Sequence, residues 1–314
     1  MTWHTVISQA FAVGESPFWH SGEQRLYGVD IAGRLLWRTV PGSGLVERWP
    51  MPDEPGCIAP ARSSGADSGL VVALRDRICR APVWGGELLP IASLPIDAAS
   101  QRANDGKCDA QGRLWVGTIH EPASGPRQPV AGLYCVDGQR QSPQGASVRS
   151  VLGGVANANG LAWSPDRRTL YWADTPSHTI RRWRCDVQGN PLGEGEVFVQ
   201  FAGKPEGWRP GEPGYGGRPD GAAVDVDGNY WCAMYEGGRV LQISPAGEIL
   251  ASHVTPALCP TMPCFGGADG RTLYVTSARH GRGQDELAQM PLSGCVFAMR
   301  VGVAGLPVQP WREV

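Results

Sequence analysis

The sequence predicts an all-β fold, a six-bladed β-propeller with a central metal site, and three observations carry that reading. Of its 314 residues, 43 are Gly and 27 are Pro, more than a fifth of the chain, and both types break helices. No segment repeats apolar residues at helical spacing. Finally, one short pattern recurs along the chain: a turn-forming segment, often with Asp or Gly, then a β-rich run usually built around an aromatic.

Six copies can be read in order. The first is GEQRLYGVD, Gly22 to Asp30, and the second, DSGLVVAL, Asp67 to Leu74, lacks the aromatic. GRLWVGT follows at Gly112 to Thr118, DRRTLYWAD at Asp166 to Asp174, DGNYWCA at Asp227 to Ala233, and GRTLYVT at Gly270 to Thr276. With Leu26, Leu70, Leu114, Leu170, Tyr230 and Leu273 as the common position, the spacing is 43 to 60 residues, that of propeller blades with insertions. Further strand-like runs between the copies, such as Gly132 to Val136 and Arg239 to Ile243, supply the remaining strands of four-stranded blades. The segment before Leu26 is too short for a full blade, so Thr5 to Ser8 is expected to pair with the last blade and close the ring. The whole chain, 1–314, is then one domain.

Composition excludes several functions. A formal net charge of −2 offers no basic field for a phosphate backbone, so nucleic acid is not an expected partner. Apolar runs such as Leu70 to Leu74 fall far short of the roughly 20 residues that span a bilayer. Met1 to Ala10 lacks a basic stretch followed by an apolar core, and the nine scattered Cys contain no C-x-x-C, which together predict a cytoplasmic protein with reduced thiols. Cys259 and Cys264, the closest pair, read as small buried apolar residues. The segment densest in Gly and Pro, Ala202 to Pro219, is expected to form a surface loop over one face, and Glu121 to Val130 a second.

One position in the repeat carries chemistry. Ten or eleven residues before the common position stand Glu15, Asn104, Asn159 and Asp220. Asn159 and Asp220 are followed directly by Gly, and Asn104 by Asp105-Gly106, which suggests tight turns entering an inner strand. Any one of the four is explained as a cap on its own turn. Glu15 is not a turn former, however, and capping gives no reason for the recurrence. Equivalent positions in a ring of blades converge on its axis, and hard cations accept carboxylate and amide oxygens, so a divalent metal is expected there: calcium, manganese, zinc or ferrous iron.

These segments resemble a known family. Gly14-Glu15-Ser16-Pro17, Asn104-Asp105-Gly106-Lys107, Asn159 to Asp166 (NGLAWSPD) and Pro219-Asp220-Gly221 are similar to the signatures of the regucalcin, or gluconolactonase-like, sugar lactonases. The resemblance extends from Glu15 to about Arg279. It implies a six-bladed propeller with one divalent metal held by Glu15, Asn159 and Asp220, a pocket lined by Asn104, and substrate contacts from Arg102 and Glu121. The chain departs from the usual pattern at Ala103, where a larger residue is common, at His120, and in the long loop before Asp220.

The expected activity is hydrolysis of an aldono- or aldarolactone by a metal-polarised carbonyl and an activated water, with Asp220 as general base and Arg102 and Asn104 donating to substrate oxygens. Two rivals stand beside it: a phosphotriesterase-like hydrolase using the same ion, and a metal-binding propeller without enzymatic activity. His120 and His280 are weaker candidates for the channel, and Lys107, one of two Lys beside 26 Arg, is expected to hold its own turn.

Overall fold

The computed structural model describes residues 2–63, 66–142 and 145–313. Among them the protein is nearly all β, with one 3-10 turn and one short helix, α1 (Gln284–Gln289). An initial strand, β1 (His4–Ile7), is followed by sets of four. The first two sets are β2 (Gly14–His20), β3 (Arg25–Asp30), β4 (Leu35–Thr39), β5 (Val46–Pro50), then β6 (Pro55–Ser63), β7 (Ala66–Leu74), β8 (Arg77–Ala81), β9 (Leu89–Ser93). The next two are β10 (Gln101–Cys108), β11 (Leu114–His120), β12 (Ala131–Ser142), β13 (Gly145–Val155), then β14 (Ala158–Trp163), β15 (Thr169–Asp174), β16 (Thr179–Arg184), β17 (Glu196–Gln200). After β18 (Arg218–Val224), β19 (Tyr230–Tyr235), β20 (Arg239–Ile243) and β21 (Ile249–Val254) come β22 (Pro260–Gly266), β23 (Thr272–Ser277), β24 (Val296–Arg300) and a terminal β25 (Trp311–Glu313).

Within each set, strands adjacent in sequence pair antiparallel. The set begun by β22 takes its fourth strand from the other end of the chain: β1 pairs with β24, with Thr5 opposite Phe297, as the sequence predicts. The hydrogen-bonded sheets nevertheless number five rather than six, because β25 lies parallel between β6 and β12 and joins two sets into one nine-stranded sheet. No hydrogen-bonded sheet closes on itself among the described residues. What closes is the order of the first strands: β2 touches β6, β6 touches β10, and so on through β14, β18 and β22 back to β2.

The repeated pattern forms the second strand of each set, and its six common residues are all buried, at 5% exposure or less. Apolar side chains of neighbouring sets pack together: Tyr27, Val29 and Leu36 meet Ile58, Val72 and Leu74, while Tyr171 and Ile180 meet Tyr230 and Leu241. Each such aliphatic side chain contributes roughly 1.5–3 kcal/mol on burial. In two sets the turn and the aromatic are tied together. Asp109 accepts from the backbone N–H groups of Gln111 and Arg113 and from Trp115 Nε1 at 2.7 Å, and Asp225 does the same for Asp227, Asn229 and Trp231 Nε1 at 2.8 Å. Cys259 and Cys264 lie in separate apolar clusters. No helix of the described residues is long and apolar enough to cross a membrane.

One expectation is corrected here. Asn104-Asp105-Gly106, Asn159-Gly160 and Asp220-Gly221 are not turns entering strands but bulges within them. In β2, β10, β14 and β18, two residues face one on the neighbouring strand at Ser16-Pro17, Asn104-Asp105, Gly160-Leu161 and Asp220-Gly221. A Gly inside a strand signals a bulge as readily as a turn, and a bulge re-aims the side chains around it.

Candidate metal and substrate site

The strand registers resolve the two spacings seen in the sequence. Glu15 and Asn159, eleven residues before the common position, are the last paired residues ahead of their bulges, opposite Val29 and Ala173. Asn104 and Asp220, ten residues before it, are the first bulged residues of theirs. All four nevertheless face one equivalent point, the third residue after the common position, and each stands four residues before the residue paired with that position; the two spacings differ because the hairpins that join the strands differ by one residue. All four are buried, between 1% and 8% exposed.

Hydrogen bonds stitch three of the inner strands together. Asn104 Nδ2 donates to Asn159 Oδ1 at 3.0 Å, to Asn157 Oδ1 at 3.1 Å and to the Ala158 carbonyl at 3.0 Å. Asn159 Nδ2 donates to Thr175 Oγ1 at 2.8 Å, and that hydroxyl donates to the Pro219 carbonyl beside Asp220. Asn159 Oδ1 thus keeps a lone pair for another partner. Gly160 sits at φ +62°, and a Cβ there would collide with Tyr230 Oη, whose hydroxyl donates to the Gly160 carbonyl.

The carboxylates are short of positive charge. Burial, and then the charges of Asp220 and Asp105, push Glu15 well above the usual carboxylate range; the Ser16 N–H at 2.8 Å and Lys107 offset only part. Asp220 is raised chiefly by burial and by Asp105, against the pull of Arg218, the Gly221 N–H and Arg127. Asp105 Oδ2 accepts from the Leu161 N–H at 2.9 Å, whereas its buried Oδ1 has no partner among the described residues. Asp105 is the residue that sequence reasoning missed, having treated it as part of a turn. The available signal was a carboxylate directly before Gly, as in Asp220-Gly221.

This donor set fits a hard divalent ion: two buried carboxyls whose affinity for protons is raised by burial and by neighbouring carboxylate charge, an amide oxygen with a free lone pair, and an unmatched carboxylate oxygen beside them. Among the described residues no three His, Cys, Asp or Glu gather as a metal cluster, so the set depends on the amide of Asn159. Lys107 does not hold its own turn, as expected, but reaches across to the Ala222 carbonyl of β18 at 2.6 Å.

Arg102 and Glu121 come together as a bidentate pair, Nε to Oε2 at 2.7 Å and Nη2 to Oε1 at 3.1 Å. Arg102 Nη1 also donates to Asn104 Oδ1 at 3.0 Å and to the Ala103 carbonyl, so most of its donors are committed to holding Asn104 and Glu121. His120 Nδ1 accepts from the Gln128 N–H at 2.8 Å and ties down the 121–130 loop, while His280 is exposed. The 202–217 segment is largely exposed and irregular and leads directly into β18; Lys204 pairs with Glu236 at 3.0 Å, and Trp208 packs edge-on against Tyr215. A cavity of about 240 Å³, lined by Lys107, Trp163, Met262, Phe265 and Leu306 among others, lies toward the other ends of the inner strands and includes none of the predicted site residues.

The fold and this cluster define a ring-ordered array of four-stranded units with a polar centre. The chain belongs to the SMP-30/gluconolactonase/LRE-like family, whose sequence profile matches residues 13–279. It is 42% identical over 301 residues to the 6-deoxy-6-sulfogluconolactonase of Pseudomonas putida, covering 96% of this chain and 95% of that one. It is 33% identical over 314 residues to the regucalcin of Gallus gallus, covering 98% and 97%. The crystal structure of a calcium-binding regucalcin from Agrobacterium tumefaciens superposes with a TM-score of 0.87 at 26% identity, covering 99% of this chain and 97% of that one.

Proposed function

We propose that this chain is a single-domain, six-bladed β-propeller that holds one divalent metal through Glu15, Asn159 and Asp220 and hydrolyses a sugar lactone. The observation that supports the reading is that Glu15 and Asp220 are buried within electrostatic reach of each other, their carboxyls raised by burial, while Asn159 is tied through Thr175 to the Pro219 carbonyl beside Asp220. Family membership supports the lactonase class, and the Pseudomonas putida relative is named for a sulfonated gluconolactone.

A divalent ion bound there supplies Lewis acidity to the lactone carbonyl and acidity to a water. Asp220 would take the proton from the attacking water at a carboxylate oxygen as the water oxygen bonds to the carbonyl carbon. The ring C–O bond then breaks, and the ring oxygen leaves as a hydroxyl carrying the proton that Asp220 held. Asn104 is locked by Arg102 and in turn fixes the Asn159 oxygen, which makes Asn104 a positioning residue in the state described. Glu121 keeps acceptor capacity for sugar hydroxyls, and Arg102 retains one Nη2 N–H for a substrate oxygen.

The test is acid release from a panel of aldono- and aldarolactones by protein loaded in turn with calcium, manganese, zinc and ferrous iron. Asp220→Asn is expected to lose turnover by a factor of about 10²–10⁴ while melting as a folded protein. Turnover retained in that variant sinks the general-base assignment. Phosphotriester turnover without lactone turnover replaces the substrate class.

A further inference from the structure

Above the buried carboxylates the charge balance reverses. Arg127 lies in the irregular 121–130 segment with its side chain 43% exposed, and its contact with Glu121 Oε1 is a long 3.5 Å. Glu121 is already taken by the bidentate grip of Arg102, and among the described residues Arg127 makes no hydrogen bond. Arg218, at the start of β18, reaches Glu236 at 3.3 Å, but Glu236 is also held by Lys204 at 3.0 Å and Arg282 at 2.9 Å. The buried Nε of Arg218 has no partner. Arg127 and Arg218 both lie within electrostatic reach of Asp220, and Arg102 and Arg218 within reach of Arg127.

Five cations, Arg102, Arg127, Arg218, Lys204 and Arg282, therefore share Glu121, Glu236 and Glu286, which leaves two positive charges unmatched. The deeper carboxylates do not supply the balance, because on the lactonase reading they face the metal. Guanidiniums within electrostatic reach of one another repel unless an anion joins them, and guanidinium N–H groups match the spacing of carboxylate, sulfonate and phosphate oxygens.

We propose that Arg127 and Arg218 form an anion-binding subsite at the mouth of the candidate site, selecting lactones that carry an oxyanionic substituent away from the reacting carbonyl. The inference rests on the lactonase reading and narrows its substrate class. Arg127, exposed and weakly held, swings to the substituent; Arg218, partly buried over the Tyr235 ring at 5.2 Å, is the fixed wall.

Three lactones separate the possibilities: neutral gluconolactone, glucarolactone with a carboxylate, and 6-deoxy-6-sulfogluconolactone with a sulfonate. The metal-loaded protein is expected to show the higher kcat/KM on at least one anionic lactone, and the better of the two identifies the anion. Arg127→Gln should lower that kcat/KM by about tenfold more than it lowers the value for gluconolactone, mainly through KM, consistent with one charged hydrogen bond. Arg127→Lys should recover part of the loss, and KM for the anionic lactone should rise with added salt. A preference for the neutral lactone, or equal losses on neutral and anionic substrates, overturns the subsite. If the wild-type protein opens none of the three, the lactonase reading falls, and calorimetry with gluconate, glucarate and 6-deoxy-6-sulfogluconate decides the subsite alone. Tighter binding of a dianion that Arg127→Gln abolishes sustains it; equal binding of all three acids removes it.

Discussion

Glu15 shows how a single residue at this site departs from ordinary preference. The next residue, Ser16, is held at φ +46°, a conformation that non-glycine residues rarely adopt. Its hydroxyl is buried and accepts from the Ile58 N–H at 3.0 Å, which pins the strained backbone to the neighbouring set. Its own N–H meanwhile bonds to Glu15 Oε2, so the strain and the carboxylate's orientation are one feature. Two predictions belong here. Protein stripped of metal should gain about 2.7 kcal/mol of stability when a binding divalent ion is added at a hundred times its Kd, and Glu15→Gln should lose most of that gain. Thermal melts with calcium, manganese and zinc check it, and an equal gain in the variant would remove Glu15 from the ligand set. Gly160→Ala combines a left-handed backbone with a collision against Tyr230 Oη, and should destabilise by about 1–3 kcal/mol in urea unfolding. Glu15 was legible in the sequence because no turn needs a Glu. Asp105 was not, because its neighbour Gly106 offered a simpler explanation.

At the scale of the strand and hairpin, what could be read from residue types was the local chemistry of each repeat. Asp225, fully buried, closes the turn after β18 by accepting from Asp227, Asn229 and Trp231 Nε1, so the Asp and the aromatic of the repeat explain each other. Asp225→Ala leaves those donors unsatisfied and should lower stability by about 2–4 kcal/mol, read from the urea midpoint. Activity per folded molecule should persist, since Asp225 lies beyond the far end of β18 from Asp220. The bulges were hidden for a physical reason. A bulge is a relation between two strands, and its extra residue is defined only by what stands opposite, such as Ala173 and Tyr171 facing Asn159 and Ala162. Lys107 was misjudged for the same reason: its partner, the Ala222 carbonyl, is 115 residues away.

At the scale of the molecule, the circular order of contacts among the six first strands agrees with the repeat spacing, and β1 pairs with β24 as the short segment before the first repeat suggested. Spacing is a long-range signal carried by many residues at once. The insertion of β25 left no such trace, because three residues pairing in parallel with β6 and β12 create no periodicity. Trp311 is 2% exposed there, and Glu313 takes Arg80 Nη2 at 2.9 Å. Trp311→Ala should therefore destabilise by about 3–5 kcal/mol, as large core truncations do, with unfolding followed by intrinsic fluorescence; a change below 1 kcal/mol would show that β25 adds little.

The same strand bears on how the protein is made. Translation runs from the N-terminus, so β6 and β12 emerge well before Trp311 to Glu313, and β1 likewise waits for β24. Until those three residues leave the ribosome, the nascent chain carries unpaired strand edges, the kind that recruit other chains. Ribosome stalling or early termination thus leaves a fragment with sound sheets and sticky borders, a natural client for chaperones.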